Sequence, residues 1–285
     1  MKIYPLQFEK IMIKKEWGTS DIDIYNYHGE DKIGEVWLLS DLVPKSVVKN
    51  GELKGKDFTY VMSHFAKNLI GEDKPTFPLC IKYLACDGNL SYQVHPDLKT
   101  EVFYSVTDDT KVHGMVDPLA GLTKEMIKED PSLLKKHSQV KELKTGVMGF
   151  LKGGTLHSLM PGSRIFEVSD SFDCTYRLYD DYGRELNLKQ GLEALVLESD
   201  IKIDKGAMYT GRYSIKEESV NGRKIIEEDE AFKIIIPLEG KLAIETNTDF
   251  FDMDLNEVTL VPYDVTGYSI VGFGKYLDIK PNNFV

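Results

Sequence analysis

The chain has 285 residues, enough to bury a sizeable core in one large domain or two smaller ones. Its formal net charge of −11 argues against nucleic acid or an anionic membrane surface as a general partner. The cysteines, Cys80, Cys86 and Cys174, are odd in number and form no C-x-x-C pair, which favours a reducing compartment. Residues 1–5 lack the apolar core of a signal peptide, and no apolar run reaches the ~18 residues of a membrane span. We therefore expect a cytoplasmic protein.

The first part of the chain predicts strands with one helix. Residues 34–40 form a strong strand candidate because they are rich in apolar and β-branched side chains. Residues 58–69 carry apolar side chains at helical spacing and predict a helix. Residues 77–85 form a short apolar run that contains a lone lysine, Lys82.

The spacing of apolar residues changes from strand-like to helical over residues 117–139, and Pro131 begins a second short helical segment. We expect one or two helices here, inserted between strands. Short β-type runs follow, among them residues 147–151, 164–169, 195–197 and 233–237. Many short strands with little helix predict a mostly β chain built as a sandwich or barrel. Two β units fit the length best, residues 1–190 with the helical insertion and residues 191–285.

Residues 91–101 read Ser-Tyr-Gln-Val-His-Pro-Asp-Leu-Lys-Thr-Glu and predict a hairpin that carries metal ligands. Gln93 and His95 are two apart, so their side chains point to the same face of an extended strand. The Pro-Asp pair that follows is a turn opener, and Glu101 begins the second arm. His157, which follows a Gly-Gly turn, is the candidate for a fourth ligand. Two nitrogens and two oxygens suit Zn²⁺ and are compatible with other divalent first-row metals.

A simpler interpretation stands beside this one. A lone histidine is usually a packed or surface residue, and we expect that of the remaining four, His28, His64, His113 and His137. The metal interpretation of His95 depends on its neighbours Gln93 and Glu101 and on His157.

Residues 165–184 concentrate carboxylates, hydroxyls and two arginines. Beside a metal, Arg177 could stabilise an enediolate or bind a phosphate through two hydrogen bonds. The alternative is a solvated strand and loop in which Arg177 pairs with Asp173 or Asp180.

Five stretches of the chain together resemble type I mannose-6-phosphate isomerase, a zinc enzyme of the cupin superfamily. They are E-W-G at 16–18, I-G-E-V-W-L-L-S at 33–40, L-I-G through F-P-L-C-I-K at 69–82, S-Y-Q-V-H-P-D with K-T-E at 91–101, and G-T-L-H at 154–157 running on to T-Y-R-L-Y-D at 175–180. Their order and rough spacing match the shorter bacterial members. The resemblance covers roughly residues 10–185 well and the C-terminal third loosely.

The resemblance implies a pair of jelly-roll cupin domains, of which the first, residues 1–190, binds the metal. One Zn²⁺ per chain would be held by Gln93, His95, Glu101 and His157. The implied substrate is a small hexose phosphate. The implied reaction is the interconversion of mannose 6-phosphate and fructose 6-phosphate through an enediol, a step of carbohydrate metabolism. No nucleic acid or membrane partner is expected, and the sequence carries no signal for the oligomeric state.

The same resemblance implies roles for residues around the metal. Arg177 would lie at the catalytic centre, with Lys99 and Glu167 as proton-handling or substrate-orienting groups. Lys82 and Ser91 align with positions that contact the substrate phosphate.

The chain departs from the family pattern in the hairpin, and this keeps other functions open. The family has a longer loop where only two residues, Asp97 and Leu98, separate His-Pro from Lys-Thr-Glu. The family's usual Trp is Phe103 here, and Lys152-Gly153 replaces its Pro-Ala. A non-catalytic, sugar-phosphate-binding or regulatory cupin is therefore the second hypothesis. A cupin oxygenase is the third, and the small number of candidate histidine ligands argues against it.

Overall fold

The computed structural model describes residues 2–227 and 231–282, and the prediction of a mostly β chain is confirmed. The strands are β1 Leu6–Gln7, β2 Ile11–Ile22, β3 Tyr27–Leu39, β4 Leu79–Ala85, β5 Tyr92–Val94, β6 Glu101–Ser105, β7 Thr110–Val116, β8 Ser138–Leu143, β9 Val147–Leu151, β10 Ser158–Leu159, β11 Arg164–Asp170, β12 Tyr176–Tyr179, β13 Lys202–Lys205, β14 Ala207–Tyr209, β15 Tyr213–Ile226, β16 Lys233–Glu245, β17 Phe250–Met253, β18 Thr259–Val261 and β19 Tyr268–Pro281. The helices are α1 Phe58–Ile70, α2 Lys124–Glu129, α3 Leu133–His137 and α4 Leu188–Ala194. Of the helices in the described ranges, none has both the length and the apolar content needed to cross a membrane.

The chain divides into two compact units. The central unit comprises Met12–Val36 and Cys80–Lys205, and the terminal unit comprises the residues up to Ile11, Trp37–Leu79 and the residues from Gly206 onward. The predicted boundary at residue 190 stays a prediction.

The central unit is organised by antiparallel sheets. Its main sheet runs β13-β9-β6-β11-β4-β3-β2, with a two-stranded sheet of β12 and β5 and a three-stranded sheet in the order β10-β7-β8. In the main sheet Glu101 lies opposite Ser169 and Phe103 lies opposite Glu167. Directly opposed residues share a face of the sheet, so the two glutamates point to the same side. An apolar cluster that includes Phe103 lies beside them.

The segment 117–139 contains short helical pieces: a 3₁₀ turn at Pro118–Ala120 followed by α2 and α3. The predicted strand at 195–197 is wrong, because the chain forms α4 immediately before it and then leaves the helix. The physical reason is the spacing of Leu188, Leu192 and Leu195, which together with Leu178 lie in one apolar cluster.

The terminal unit contains a seven-stranded sheet in the order β1-β18-β16-β19-β15-β14, with β17 paired to β16. It also contains α1, which confirms the helix predicted over 58–69. The side chain of Asp57 accepts a hydrogen bond from the Tyr60 N–H at the start of α1, and Gly71 ends the helix in the left-handed region at φ 80°. The interior positions of β16, such as Ile234, Ile235 and Ile236, are fully buried and apolar.

Candidate metal centre

The centre begins with the tight turn that joins β5 to β6. His95 follows β5 directly, and Glu101 is the first residue of β6. The Lys99 N–H donates to the Pro96 carbonyl at 3.0 Å, which closes the turn. As a result, Nε2 of His95 lies 3.0 Å from Oε1 of Glu101, and both side chains are buried.

His157 joins these two residues from a distant part of the sequence. Its backbone forms an isolated antiparallel bridge with Gln93, with hydrogen bonds of 3.1 and 3.0 Å. Its Nε2 lies 3.7 Å from Oε2 of Glu101. The candidate ligand atoms of His95, Glu101 and His157 all lie within 4.8 Å of one another. The three side chains therefore form a buried cluster that could hold a metal ion.

Hydrogen bonds at the outer nitrogens orient both imidazoles. Nδ1 of His95 lies 2.8 Å from the Cys174 carbonyl oxygen, and Nδ1 of His157 lies 2.9 Å from the Thr155 carbonyl oxygen. A carbonyl oxygen can only accept, so each Nδ1 carries the proton and, in the neutral ring, each Nε2 presents its lone pair to the cluster. Outer-shell partners of this kind are common for metal-binding histidines.

Acceptor atoms thus face one another across the cluster. The contact between Nε2 of His95 and Glu101 lacks hydrogen-bond geometry, and this buried nitrogen has no other hydrogen-bond partner among the described residues. Two lone pairs 3.0 Å apart require either a proton or a metal cation between them. This arrangement fits a divalent first-row metal.

The protonation states of Glu101 and His157 are compatible with a metal cation. Burial, and next the charge of His95, lower the pKa of His157 to about 4, so its imidazole is neutral at pH 7. Burial acts to raise the pKa of Glu101, but the neighbouring His95 and Lys99 hold this pKa well below its usual range. A neutral imidazole and a carboxylate are the protonation states that metal binding needs.

Gln93 borders the cluster. Its Nε2 lies 3.1 Å from Nε2 of His157, and its Oε1 accepts from the Ser91 hydroxyl at 2.9 Å. With this amide orientation Gln93 donates to His157. Rotating the amide by half a turn would present Oε1 to the cluster instead, because the two amide atoms are nearly interchangeable in shape. Metal ligation by Gln93 stays a prediction.

Two lysines and two glutamates extend the polar interior. Nζ of Lys99 lies 3.0 Å from Oε1 of Glu101. Nζ of Lys82 lies 3.8 Å from Oε2 of Glu35 and 3.8 Å from Oε1 of Glu167. Burial acts to lower the pKa of each lysine, but the neighbouring carboxylates raise both pKa values, so both lysines remain charged. Burial, and next the charge of Glu101, raise the pKa of Glu167.

Arg177 lies directly opposite Gln93 in the two-stranded sheet. Opposed residues share a face, so Arg177, Gln93 and His157 lie side by side on three neighbouring backbone segments. Nε of Arg177 is buried and has no hydrogen-bond partner within the described ranges. The alternative pairing of Arg177 with Asp180 is wrong, because Asp180 forms its ion pair with Arg184 at 2.6 Å.

The structure therefore brings the predicted residues together, and it adds residues that the sequence did not indicate. Glu35 contacts Lys82 and also lies 2.9 Å from Nζ of Lys15. Glu35 is the one carboxylate in the apolar run 33–40. A single charged residue in an apolar run was the same feature that drew attention to Lys82, so Glu35 could have been found in that way. The carbonyls of Cys174 and Thr155 had no signal, because any residue supplies a carbonyl.

The remaining histidines lie outside this cluster. His113 is buried against the Ser138 hydroxyl at 2.9 Å, and His64 stacks on Tyr60 in α1. His28 is exposed and lies 2.9 Å from Asp21.

Comparisons with known proteins agree with the family resemblance of the sequence motifs. The family described as phosphomannose isomerase type I, catalytic domain, matches residues 7–116. A mannose-6-phosphate isomerase of Streptococcus mutans is 30% identical over 217 residues, which cover 68% of this chain and 68% of that protein. The mannose-6-phosphate isomerase ManA of Bacillus subtilis is 25% identical over 316 residues, which cover 96% and 98% of the two chains.

Solved structures show the same fold. The crystal structure of the mannose 6-phosphate isomerase from Bacillus subtilis superposes with a TM-score of 0.83 at 22% identity and covers 97% of this chain and 99% of its own. A structure described as a putative mannosephosphate isomerase from Archaeoglobus fulgidus gives a TM-score of 0.82 at 17% identity, with 98% of each chain covered. The predicted cupin fold is thereby confirmed. The chain belongs to the type I phosphomannose isomerase family and is an isomerase.

Proposed function

We propose that this isomerase is zinc-dependent and interconverts mannose 6-phosphate and fructose 6-phosphate through an enediol intermediate. The observation that carries the proposal is the buried arrangement of candidate ligand atoms from His95, Glu101 and His157, which could hold a metal ion at its centre. The names of the relatives support the choice of substrate.

Zn²⁺ is the metal that this donor set fits best. Two imidazole nitrogens and one carboxylate, with the Gln93 amide oxygen as a fourth ligand, give the mixed nitrogen and oxygen set of catalytic zinc sites. When bound, Zn²⁺ would polarise the sugar oxygens near the reacting carbons. The neutral Gln93 leaves the site more positive than a second carboxylate would, and this favours an electron-rich intermediate.

Arg177 stabilises that intermediate. Moving the carbonyl from C1 to C2 removes a proton from C2 and places negative charge on the enediolate oxygens. A guanidinium is always charged at physiological pH and donates in a fixed planar arrangement. Arg177 is half-buried, and its Nε makes no hydrogen bond to the described residues, so no ion pair among those residues offsets the charge that it brings to the intermediate.

Glu167 and Lys99 divide the proton handling. The raised pKa of Glu167 brings its carboxyl group closer to neutral pH, which suits a group that takes and returns a proton. Lys99 keeps its proton because its pKa is raised, so it acts as a donor that orients the substrate rather than as the base.

Lys82 and Ser91 contact the substrate phosphate in this proposal. Lys82 is bracketed by Glu35 and Glu167, which would repel a phosphate if both were uncompensated. Lys15 lies 2.9 Å from Glu35 and neutralises part of its charge. The positive charge of Lys82 is therefore only partly offset by Glu35, and it can attract a phosphate oxygen.

A coupled assay of fructose 6-phosphate formation from mannose 6-phosphate tests the proposal. We expect activity to be lost with a chelator and restored by Zn²⁺. Arg177→Ala is expected to lower kcat by about 10²–10³-fold, the effect of removing one electrostatic stabiliser. The matched control is Arg184→Ala, which removes a partly buried arginine that is paired with Asp180 and should leave kcat close to that of the wild type.

Two outcomes would contradict the proposal. Activity that is indifferent both to chelation and to Arg177→Ala would exclude the metal mechanism. A chain that binds Zn²⁺ and a hexose phosphate but turns over none would support a non-catalytic binding protein instead.

A further inference from the structure

A carboxylate next to the metal cluster, on Asp170, makes an unusual set of contacts. Asp170 is buried, with 9% of its surface exposed, and it is the last residue of β11. Its Oδ2 accepts from both the backbone N–H and the hydroxyl of Thr100, each at 2.8 Å. Its own N–H donates to the Thr100 carbonyl at 3.1 Å. Asp170 thus binds the backbone and the side chain of a single residue.

Thr100 lies between the cluster residue Glu101 and the lysine that contacts it. On one side is Lys99 and on the other is Glu101, and their side chains meet at 3.0 Å. Glu101 in turn lies 3.0 Å from His95. The last ladder pair between β11 and β6 is Ser169 with Glu101, so the contacts of Asp170 with Thr100 close the sheet one residue beyond that pair.

The two sides of the turn rest on different parts of the chain. Its tip, Asp97 and Leu98, is exposed. The opposite side rests on the Gly-Gly turn, where a Cβ on Gly153 would lie 2.4 Å from the Cα of Asp97. The Gly154 N–H also donates to the His95 carbonyl at 2.8 Å. His95 is therefore held from the glycine side. Glu101 is held by its ladder pairs with Ser169 of β11 and Leu151 of β9, and Asp170 holds Thr100 one residue before it.

We infer that Asp170 is a positioning residue for the metal centre, which through Thr100 sets the carboxylate of Glu101 and the ammonium of Lys99 against His95. Strand ends fray readily because they lack neighbours beyond the last ladder bond. A metal site tolerates displacements of only about 0.5 Å, so a frayed end of β6 weakens metal binding. The inference rests on the proposed metal binding by this cluster.

The other end of β6 supplies a matched control. There the hydroxyl of Ser105 lies 2.7 Å from Oγ1 of Thr110 and 2.8 Å from the carbonyl oxygen of Thr107, and Ser105 and Thr110 are fully buried. Ser105→Ala removes a buried side-chain hydrogen bond from the same strand, as Asp170→Ala does. Ser105 lies at the end away from Glu101.

Titration of the metal-free full chain with Co²⁺ against a competing chelator tests the inference, with the visible absorption of Co²⁺ as the readout. We expect Asp170→Ala to weaken Co²⁺ binding by about 10–100-fold, the usual effect of losing an outer-shell partner. Asp170→Asn keeps an oxygen that can accept both bonds, so its affinity should stay within about threefold of the wild type. Thr100→Val should lie between these two, and Ser105→Ala should bind as the wild type does.

The outcomes separate this inference from the proposed function. A wild type that binds no Co²⁺ would overturn both. Tight binding by the wild type and by Asp170→Ala alike would overturn the positioning role alone, as would an equal loss in Ser105→Ala. Circular dichroism checks that each variant folds, and where Asp170→Ala does not fold, the affinity of Thr100→Val decides.

Discussion

The two units build similar antiparallel sheets but bury different side chains. The terminal unit buries apolar residues almost throughout, and within the described ranges Lys233 is its only buried charged side chain. The central unit buries seven charged or imidazole side chains: His95, Lys99, Glu101, His113, His157, Glu167 and Asp170. A buried charge is costly unless it is paired, so such a concentration marks a site where function requires it. The terminal unit buries mainly apolar side chains, whereas the central unit buries charged and imidazole side chains around the metal cluster, with His113 apart from it.

The largest expected effect comes from a ligand of the central unit. Glu101→Gln keeps the shape of the side chain but removes the negative charge, so we expect metal affinity to fall by more than about 10²-fold, beyond the cost of losing an outer-shell partner. Isothermal titration with Zn²⁺ measures this affinity. Glu142→Gln, at an exposed ion pair with Lys111, is the control and should leave the affinity unchanged. Unaltered Zn²⁺ affinity in Glu101→Gln would show that the buried charged side chains of the central unit are not there to bind a metal.

A core substitution in the terminal unit should lower the stability of the protein and leave its metal affinity unchanged. Ile236 is fully buried in β16, so Ile236→Ala should lower the free energy of unfolding by about 2–5 kcal/mol. Urea unfolding of the metal-free protein measures this loss. Metal affinity of the folded variant should stay close to that of the wild type. A large fall in that affinity would show that the apolar sheet also shapes the metal site.

Acid should destabilise the central unit through His157. The pKa of this group is lowered to about 4 in the folded protein and returns to its ordinary value of about 6.5 on unfolding. As pH falls below 6.5, the unfolded chain takes up a proton that the folded chain does not, so stability falls until about pH 4. The full loss is on the order of 3 kcal/mol.

Unfolding of the metal-free protein between pH 7 and 4 measures this dependence. His157→Asn should flatten the slope, because it removes the titrating group. Equal slopes in the variant and the wild type would show that His157 is not held neutral.

Much of the site could be predicted from short stretches of sequence. Gln93 and His95 share a face because strand side chains alternate, and a Pro-Asp turn returns the chain to Glu101 within a few residues. The helix over 58–69 was readable from its apolar spacing. The helix at Leu188–Ala194 is not predicted from the sequence, where the nearest predicted element is the strand at 195–197.

The sequence by itself determined the mostly β class, the tight turn and the residue types of the cluster, because these depend on neighbours along the chain. Only the tertiary structure decided the contacts between distant strands. The register of β5 places Arg177 opposite Gln93, and a backbone bridge places His157 on the other side. It also decided which carbonyls orient the imidazoles and that Asp170 holds Thr100. Such pairings depend on strand register and packing, which no local spacing of residues specifies.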